Sequence, residues 1–176
     1  MSEIEVRGAT RQDYPGIARV LDRAFGEDEL DLWQYIVAND PTIDPAGVRI
    51  AAVNGQVVAC TVVVPRSLMT RAGWRPGAVI TLVACDPAFQ RRGFGGMTVR
   101  SALEYCRSEG LGVAILYGVP DYYPRFGYVP VLPRLTTEMP AEAALAAAKR
   151  TLFGAPSPAD LPRLEPFAVH DIPAAV

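Results

Sequence analysis

The chain has 176 residues, 50% hydrophobic and 20% charged, with a net charge of −2 at pH 7 and a pI near 5.4. That composition suits one globular domain with a sizeable core and supplies no broad basic surface, which argues against sequence-independent nucleic-acid binding. The three cysteines, Cys60, Cys85 and Cys106, lack metal-ligand spacing and cannot all pair, and the one histidine, His170, lies near the end, so a disulfide scaffold, a zinc site and a His-based triad are poor expectations.

The opening MSEIEVRGAT has no signal or transit character, and no apolar run is long enough to span a bilayer. With free thiols suited to a reducing compartment, these features predict a cytoplasmic protein with no membrane partner and no metal. Residues 3–8 alternate as a short edge strand would, with Ile4 and Val6 on one face. Thr10-Arg11-Gln12-Asp13 reads as a helix opening capped by Thr10, and Ile17, Val20, Leu21 and Ala24 recur at helical spacing until Gly26. An acidic stretch, Glu27-Asp28-Glu29 with Asp31, leads into a second helix around 30–38, ended by Asp40-Pro41. Residues 48–53 and 56–64 are β-rich runs joined by Asn54-Gly55, a strong hairpin signal.

Residues 78–85, AVITLVAC, form a near-continuous apolar run, as a strand buried on both faces does, and Asp86-Pro87 closes it. From about Phe94, the residues Met97, Val99, Leu103 and Cys106 predict a helix reaching Gly110, and 113–117 reads as another buried strand. Strand, glycine turn, helix, strand is a βαβ unit with parallel strands. Five prolines break residues 120–140, leaving a short helical turn at 122–126 and extended pieces at 128–131 and 135–138. The expected fold is α/β (α+β): a mixed central sheet flanked by helices, with an antiparallel N-terminal part and a βαβ core, spanning 1–140. Residues 141–152 suggest a helix that passes into a proline-rich linker, making 141–163 a connecting segment. The final 164–176 echo residues 6–18 (Asp171-Ile172-Pro173 against Asp13-Tyr14-Pro15), as the start of a second repeat or as a tail.

Residues 86–97, DPAFQRRGFGGM, place Gly93, Gly95 and Gly96 behind two arginines at a strand-to-helix turn. Such a turn aims several backbone N–H groups at one point, where the helix dipole also favours negative charge, so it is an anion site suited to phosphate. A P-loop would need Gly-Lys-Ser/Thr where this chain has Gly-Gly-Met. A dinucleotide fold would need GxGxxG and an acidic residue after the next strand, and Tyr117-Gly118 supplies none.

Val83-Ala84-Cys85-Asp86-Pro87-Ala88-Phe89-Gln90-Arg91-Arg92-Gly93-Phe94-Gly95 closely resembles the acetyl-CoA signature of GCN5-related N-acetyltransferases (GNAT), with Cys85 where valine is usual. The likeness covers about residues 3–140. It implies that Gln90, Arg91, Arg92, Gly93, Phe94, Gly95 and Gly96 cradle the pyrophosphate, mostly through main-chain N–H groups. It further implies that Val83 and Cys85 pair their main chains with the pantetheine arm, and that the Cys85 N–H polarises the thioester carbonyl. Asp121-Tyr122-Tyr123-Pro124-Arg125-Phe126-Gly127-Tyr128 resembles the family's late Y-x-x-x-G-F/Y segment. By that spacing Tyr123 is the general acid to the leaving thiolate, with Tyr122 as the fallback; both rings packing a turn is the plainer alternative.

The resemblance implies an acetyl-CoA-dependent N-acetyltransferase acting on a small-molecule or peptide amine, without metal, by direct transfer. A covalent role for Cys85 is disfavoured, because no base lies near it in sequence. Glu27, Asp28, Glu29 and Asp31 fall where the family places its acceptor-side loop, and Asp121 is another acidic candidate, although each also reads as a solvated or capping residue. The closest branch in appearance is the enhanced-intracellular-survival type, which implies polyamine, aminoglycoside-like, lysine or N-terminal amine acceptors and a second repeat. A homo-oligomer is compatible with this reading. The competing expectations are a non-catalytic CoA-binding module and an unrelated nucleotide-binding domain.

Overall fold

The computed structural model describes residues 3–70, 73–119, 121–131 and 142, and Met1–Pro130 form one unit. Five strands make a single sheet in chain order: β1 (Ile4–Gly8), β2 (Val48–Val53), β3 (Gln56–Thr70), β4 (Gly73–Cys85) and β5 (Val113–Leu116). Neighbours from β1 to β4 run antiparallel, and β4 with β5 runs parallel, as the βαβ reading requires. Asn54 and Gly55, at φ 49° and 79°, make the tight turn between β2 and β3.

Alternation along the strands sends successive side chains to opposite faces, and each face has its own helical cover. On one, Ile17, Val20 and Leu21 of α1 (Tyr14–Phe25) pack on Ile50, Cys60 and Val62, and Trp33 of α2 (Glu27–Asn39) meets the Tyr14 ring edge-on at 5.1 Å. On the other, Ala102 and Cys106 of α3 (Phe94–Ser108) pack on Val63, Ala78 and Ile80. The result is the mixed sheet flanked by helices that the patterning predicts.

Three elements, α2, β3 and β4, differ most from their predicted extents. Helix α2 begins at Glu27, because Gly26 at φ 91° ends α1 and lets the next helix start at once. Glu27, Asp28 and Glu29 are its first turn, where negative charge complements the helix dipole. Strands β3 and β4 continue past the apolar runs into a hairpin arm paired from Pro65–Ala78 out to Thr70–Gly73. That arm has little apolar alternation to reveal it: Met69 and Trp74, paired across it, are 64% and 63% exposed. Residues 128–131 carry no strand. The expected piece at 135–138, the connecting segment 141–163 apart from Glu142, and the repeat-like 164–176 lie outside the described residues.

The feature that shapes the site is a bulge in β4. Cys60 pairs with Ala84 and Val62 with Thr81, so Thr61 alone faces both Leu82 and Val83, and Leu82 takes φ 50°. The parallel pairing to β5 covers only Gly77–Ile80 against Val113–Leu116, so beyond Ile80 the two strands part. The fully buried Thr61 hydroxyl donates to Thr98 Oγ1 of α3 (2.8 Å), which donates in turn to the Gly95 carbonyl (2.9 Å). This chain ties the bulge to the first turn of the helix.

Thr61→Val keeps the volume but leaves the buried Thr98 oxygen without its donor. It is expected to lower unfolding stability by about 1–2 kcal/mol, seen as a lower urea midpoint at unchanged m-value; an unchanged midpoint would show that the link contributes nothing.

Candidate active site

Where β4 and β5 part, a cleft of about 1280 Å³ opens, walled by β4 from Val79 to Cys85, the start of α3, the α1–α2 junction, residues 117–119 and the segment from Tyr122 to Phe126. On its β5 side, β4 has no ladder partner among the described residues after Ile80. Apart from the Cys85 carbonyl, which accepts from Gln90 Nε2 (3.4 Å), its main-chain groups on that side are open to an extended ligand carrying amides of its own.

The glycine turn closes one end. Arg91 (φ 61°) and Gly93 (φ 87°, the N-cap of α3) both adopt the left-handed conformation, which turns the chain from β4 into the helix. The first intrahelical bond runs from the Met97 N–H to the Gly93 carbonyl (3.0 Å), so the N–H groups before it serve partners outside the helix backbone. The turn is braced from below by Asp86, which is fully buried. Its Oδ1 accepts from the Ala88 N–H (2.9 Å), its own N–H donates to the Val58 carbonyl (2.9 Å), and Oδ2 lies 3.3 Å from Arg23 Nη1 of α1. A buried carboxylate demands such compensation.

Val83, Cys85, Gln90, Arg91, Gly93, Phe94, Gly95, Gly96, Tyr122 and Tyr123 all line the cleft, and so does Glu29. Arg92 does not; its guanidinium sits 5.5 Å from the Phe89 ring centre. Nor do the exposed Glu27, Asp28 and Asp121. Several lining residues were not anticipated: Phe25, Leu32, Leu82, Arg100, Tyr117, Gly118, Val119 and Arg125. Arg100, four residues after Gly96, and Arg125 in the Tyr-Pro-Arg-Phe turn were visible as residues. Which wall they reach depends on how α3 and the turn at Pro124–Phe126 meet.

The two tyrosines stand differently. Tyr122 packs edge-on to Tyr123 (5.0 Å) and carries Arg125 over its face at 4.2 Å; its hydroxyl comes 3.4 Å from where a Cβ on Gly95 would lie. Tyr123 is more enclosed, between Tyr122, Tyr128 (5.9 Å) and the backbone of Gly118, against which its ring packs directly. Burial, and then the neighbouring Tyr122, push the Tyr123 phenol above its ordinary value near 10. It therefore keeps its proton at neutral pH. Tyr128 behind it is pushed up to about 12 by burial.

Cys85 lines the cleft with its sulfur 3.7 Å from the Asp86 carbonyl. Burial and the Asp86 charge raise its thiol, outweighing the lowering effect of the Gly95 N–H. It is a thiol at neutral pH, not a poised thiolate. Among the described residues, no group of His, Cys, Asp and Glu is arranged to hold a metal ion, and no helix is long and apolar enough to cross a membrane.

A family model described as an acetyltransferase (GNAT) domain matches residues 5–131. The uncharacterized N-acetyltransferase YjhQ of Escherichia coli (strain K12) is 29% identical over 127 residues, 68% of this chain and 66% of that relative. A GNAT family acetyltransferase from Brucella melitensis, solved in complex with acetyl-CoA, superposes with a TM-score of 0.64 at 23% identity, covering 78% of this chain and 92% of that one. A GCN5-related N-acetyltransferase from Kribbella flavida matches at a TM-score of 0.55 and 21% identity, over 71% of this chain but 32% of its own.

A Cβ on Gly118 would stand 3.1 Å from Tyr123 Cζ, with another ring carbon closer still. Gly118→Ala is thus expected to displace the Tyr123 ring and cost about 1–3 kcal/mol in stability, whereas Tyr123→Phe, which keeps the ring, should leave the urea midpoint nearly unchanged. Equal stability of Gly118→Ala and the parent would contradict this packing.

Proposed function

This chain belongs to the GNAT acetyltransferases, and from that premise we propose that it moves the acetyl group of acetyl-CoA directly to a primary amine in the cleft at the β4 bulge. The observation that carries this reading is the convergence at one place of an unpaired β4 edge, a glycine-started helix and an enclosed, protonated tyrosine. The fold likeness to a protein solved with acetyl-CoA supports the choice of cosubstrate. The residues present suit that ligand: left-handed Arg91 and Gly93, with the first N–H groups of α3, offer donors to a pyrophosphate, and the main chain of Val83 and Cys85 faces the amides of a pantetheine arm.

Acetyl-CoA supplies an activated thioester. The Cys85 N–H, held by β4 beyond its bulge, polarises the thioester oxygen as negative charge grows there. Tyr123 holds its proton at Oη and delivers it to the departing sulfur, so that as the C–N bond forms and the C–S bond breaks the sulfur leaves as a thiol. The proton lost by the amine goes to solvent. Tyr123 is preferred over Tyr122 because it stands four residues before Gly127, the spacing of the family's tyrosine, and its ring is the more enclosed. Cys85 is assigned no covalent step, since its thiol is raised rather than lowered.

The acceptor is an amine of the polyamine, aminoglycoside, lysine or N-terminal kind, and we assign its binding to Glu29, which lines the cleft while Glu27, Asp28 and Asp121 do not. We also read the chain as the N-terminal part of a longer protein of the enhanced-intracellular-survival type. Support comes from the echo of residues 6–18 in 164–176 and from the Kribbella protein, in which this fold is a third of the chain. Intact-mass analysis of the native gene product should give a mass well above 19.0 kDa; a product of that mass would end this part of the reading.

Tyr123→Phe is expected to lower kcat by about 10²–10⁴-fold with acetyl-CoA binding retained, measured by thiol release and by calorimetry. In the parent, kcat should show no falling limb until pH exceeds about 10, because the acid loses its proton only above its raised pKa. Cys85→Ala should stay active. Retained CoA binding with no turnover on any amine would favour the alternative of a non-catalytic CoA-binding module.

A further inference from the structure

The cleft has an uneven charge distribution that narrows the acceptor. Three arginines line it, Arg91, Arg100 and Arg125, and they belong to the glycine-turn end and the adjoining 122–126 wall. At the α1–α2 junction the lining is Phe25, Leu32 and a single carboxylate, Glu29. Gly26 at φ 91° makes this grouping, since it breaks the helix between Phe25 and Glu29 and lets both face the same space. Glu29 and Leu32, three residues apart, share one face of α2.

Phe25 and Leu32 are 51% and 42% exposed, apolar surface left open at the wall of a cavity. Glu29 is half-buried, and no hydrogen bond or ion pair engages it among the described residues. With acetyl-CoA filling the arginine end and the β4 edge, this end is what remains for the acceptor.

Resting on the transferase reading above, we propose that the acceptor is a diamine of the diaminoalkane class: one amine reacts, and a second, non-reacting ammonium pairs with Glu29 while the apolar spacer covers Phe25 and Leu32. We assign Glu29 to the second cation rather than to the reacting nitrogen. A carboxylate paired with the reacting nitrogen would hold it as ammonium, and an alkylamine near pKa 10.4 is already less than about one part in a thousand neutral at pH 7. A carboxylate at the far end of a spacer binds the substrate without that penalty. A polycation such as an aminoglycoside would bring further charges that meet apolar walls or arginines.

The test compares 1-aminohexane with 1,6-diaminohexane, which differ only in the second amine, by thiol release and by calorimetric binding to CoA-saturated protein. A diaminoalkane series and an aminoglycoside are run beside them, on the parent and Glu29→Gln. The parent is expected to favour the diamine by about tenfold in kcat/KM and in Kd, with an optimum spacer length. Glu29→Gln should erase that preference, bringing the diamine to the kcat/KM and Kd of 1-aminohexane. Equal use of the two amines by the parent, a preference that survives in Glu29→Gln, or an aminoglycoside preferred over every diamine would overturn the proposal. If no amine turns over while the diamine still binds in a Glu29-dependent way, the transferase reading fails and the cation site stands; equal binding of both amines removes the cation site as well.

Discussion

The cleft depends on one backbone irregularity. A regular ladder would carry β4 alongside both β3 and β5 to its end and leave no opening in the sheet. Because Thr61 faces two residues of β4, the strand bends at Leu82–Val83, and pairing with β5 ends at Ile80. An unpaired main chain in a protein is costly unless something satisfies it. Here the unpaired edge is aimed at the space where an amide-bearing cosubstrate is proposed to lie. The bulge is held from behind by buried hydroxyls, from Thr61 through Thr98 to the Gly95 carbonyl, so strand and helix are positioned together rather than separately.

Electrostatics then divide the cleft into regions. The glycine turn has left-handed residues, first helix N–H groups that lie outside the intrahelical ladder, and nearby arginines, and it is anchored by a buried Asp86 that Arg23 partly neutralises from α1. Tyr123 sits in an aromatic enclosure where its neutral form is favoured. The lining from the α1–α2 junction is apolar with one carboxylate. On the reading proposed above, a negative group, a proton donor and a cation are each given a place, as a transfer from a phosphate-bearing thioester to an amine requires.

Much of this could be read in the chain. The Asn-Gly turn, the strand over 78–85 and the glycine-opened helix each have a local cause, and each formed where expected, although along the strand only alternate residues are fully buried and the half-buried Val79, Thr81, Val83 and Cys85 line the cleft. The hairpin arm did not announce itself, because its side chains face water and only the backbone pairing between residues 65–70 and 73–78 builds it. The early start of α2 was missed for a related reason: an acidic triplet reads as loop or as helix start with equal ease, and Gly26 decides by ending one helix where the next begins.

By itself the sequence determined the order of the elements, the two helical faces of the sheet and the residues of the glycine turn and the tyrosine segment, since all of these follow from periodicity and from turn chemistry among near neighbours. Only the tertiary structure decided which acidic residue reaches the cleft and which tyrosine is enclosed. Glu27, Asp28 and Glu29 are equivalent as sequence, but a helix turns each by about 100° from the last, and only Glu29 faces the space left by the parting strands. Tyr122 and Tyr123 are adjacent, and it is the missing side chain at Gly118, five residues before Tyr123, that admits one ring against the end of β5 and leaves the other beside the helix. Long-range packing settles such choices, and no local pattern encodes it.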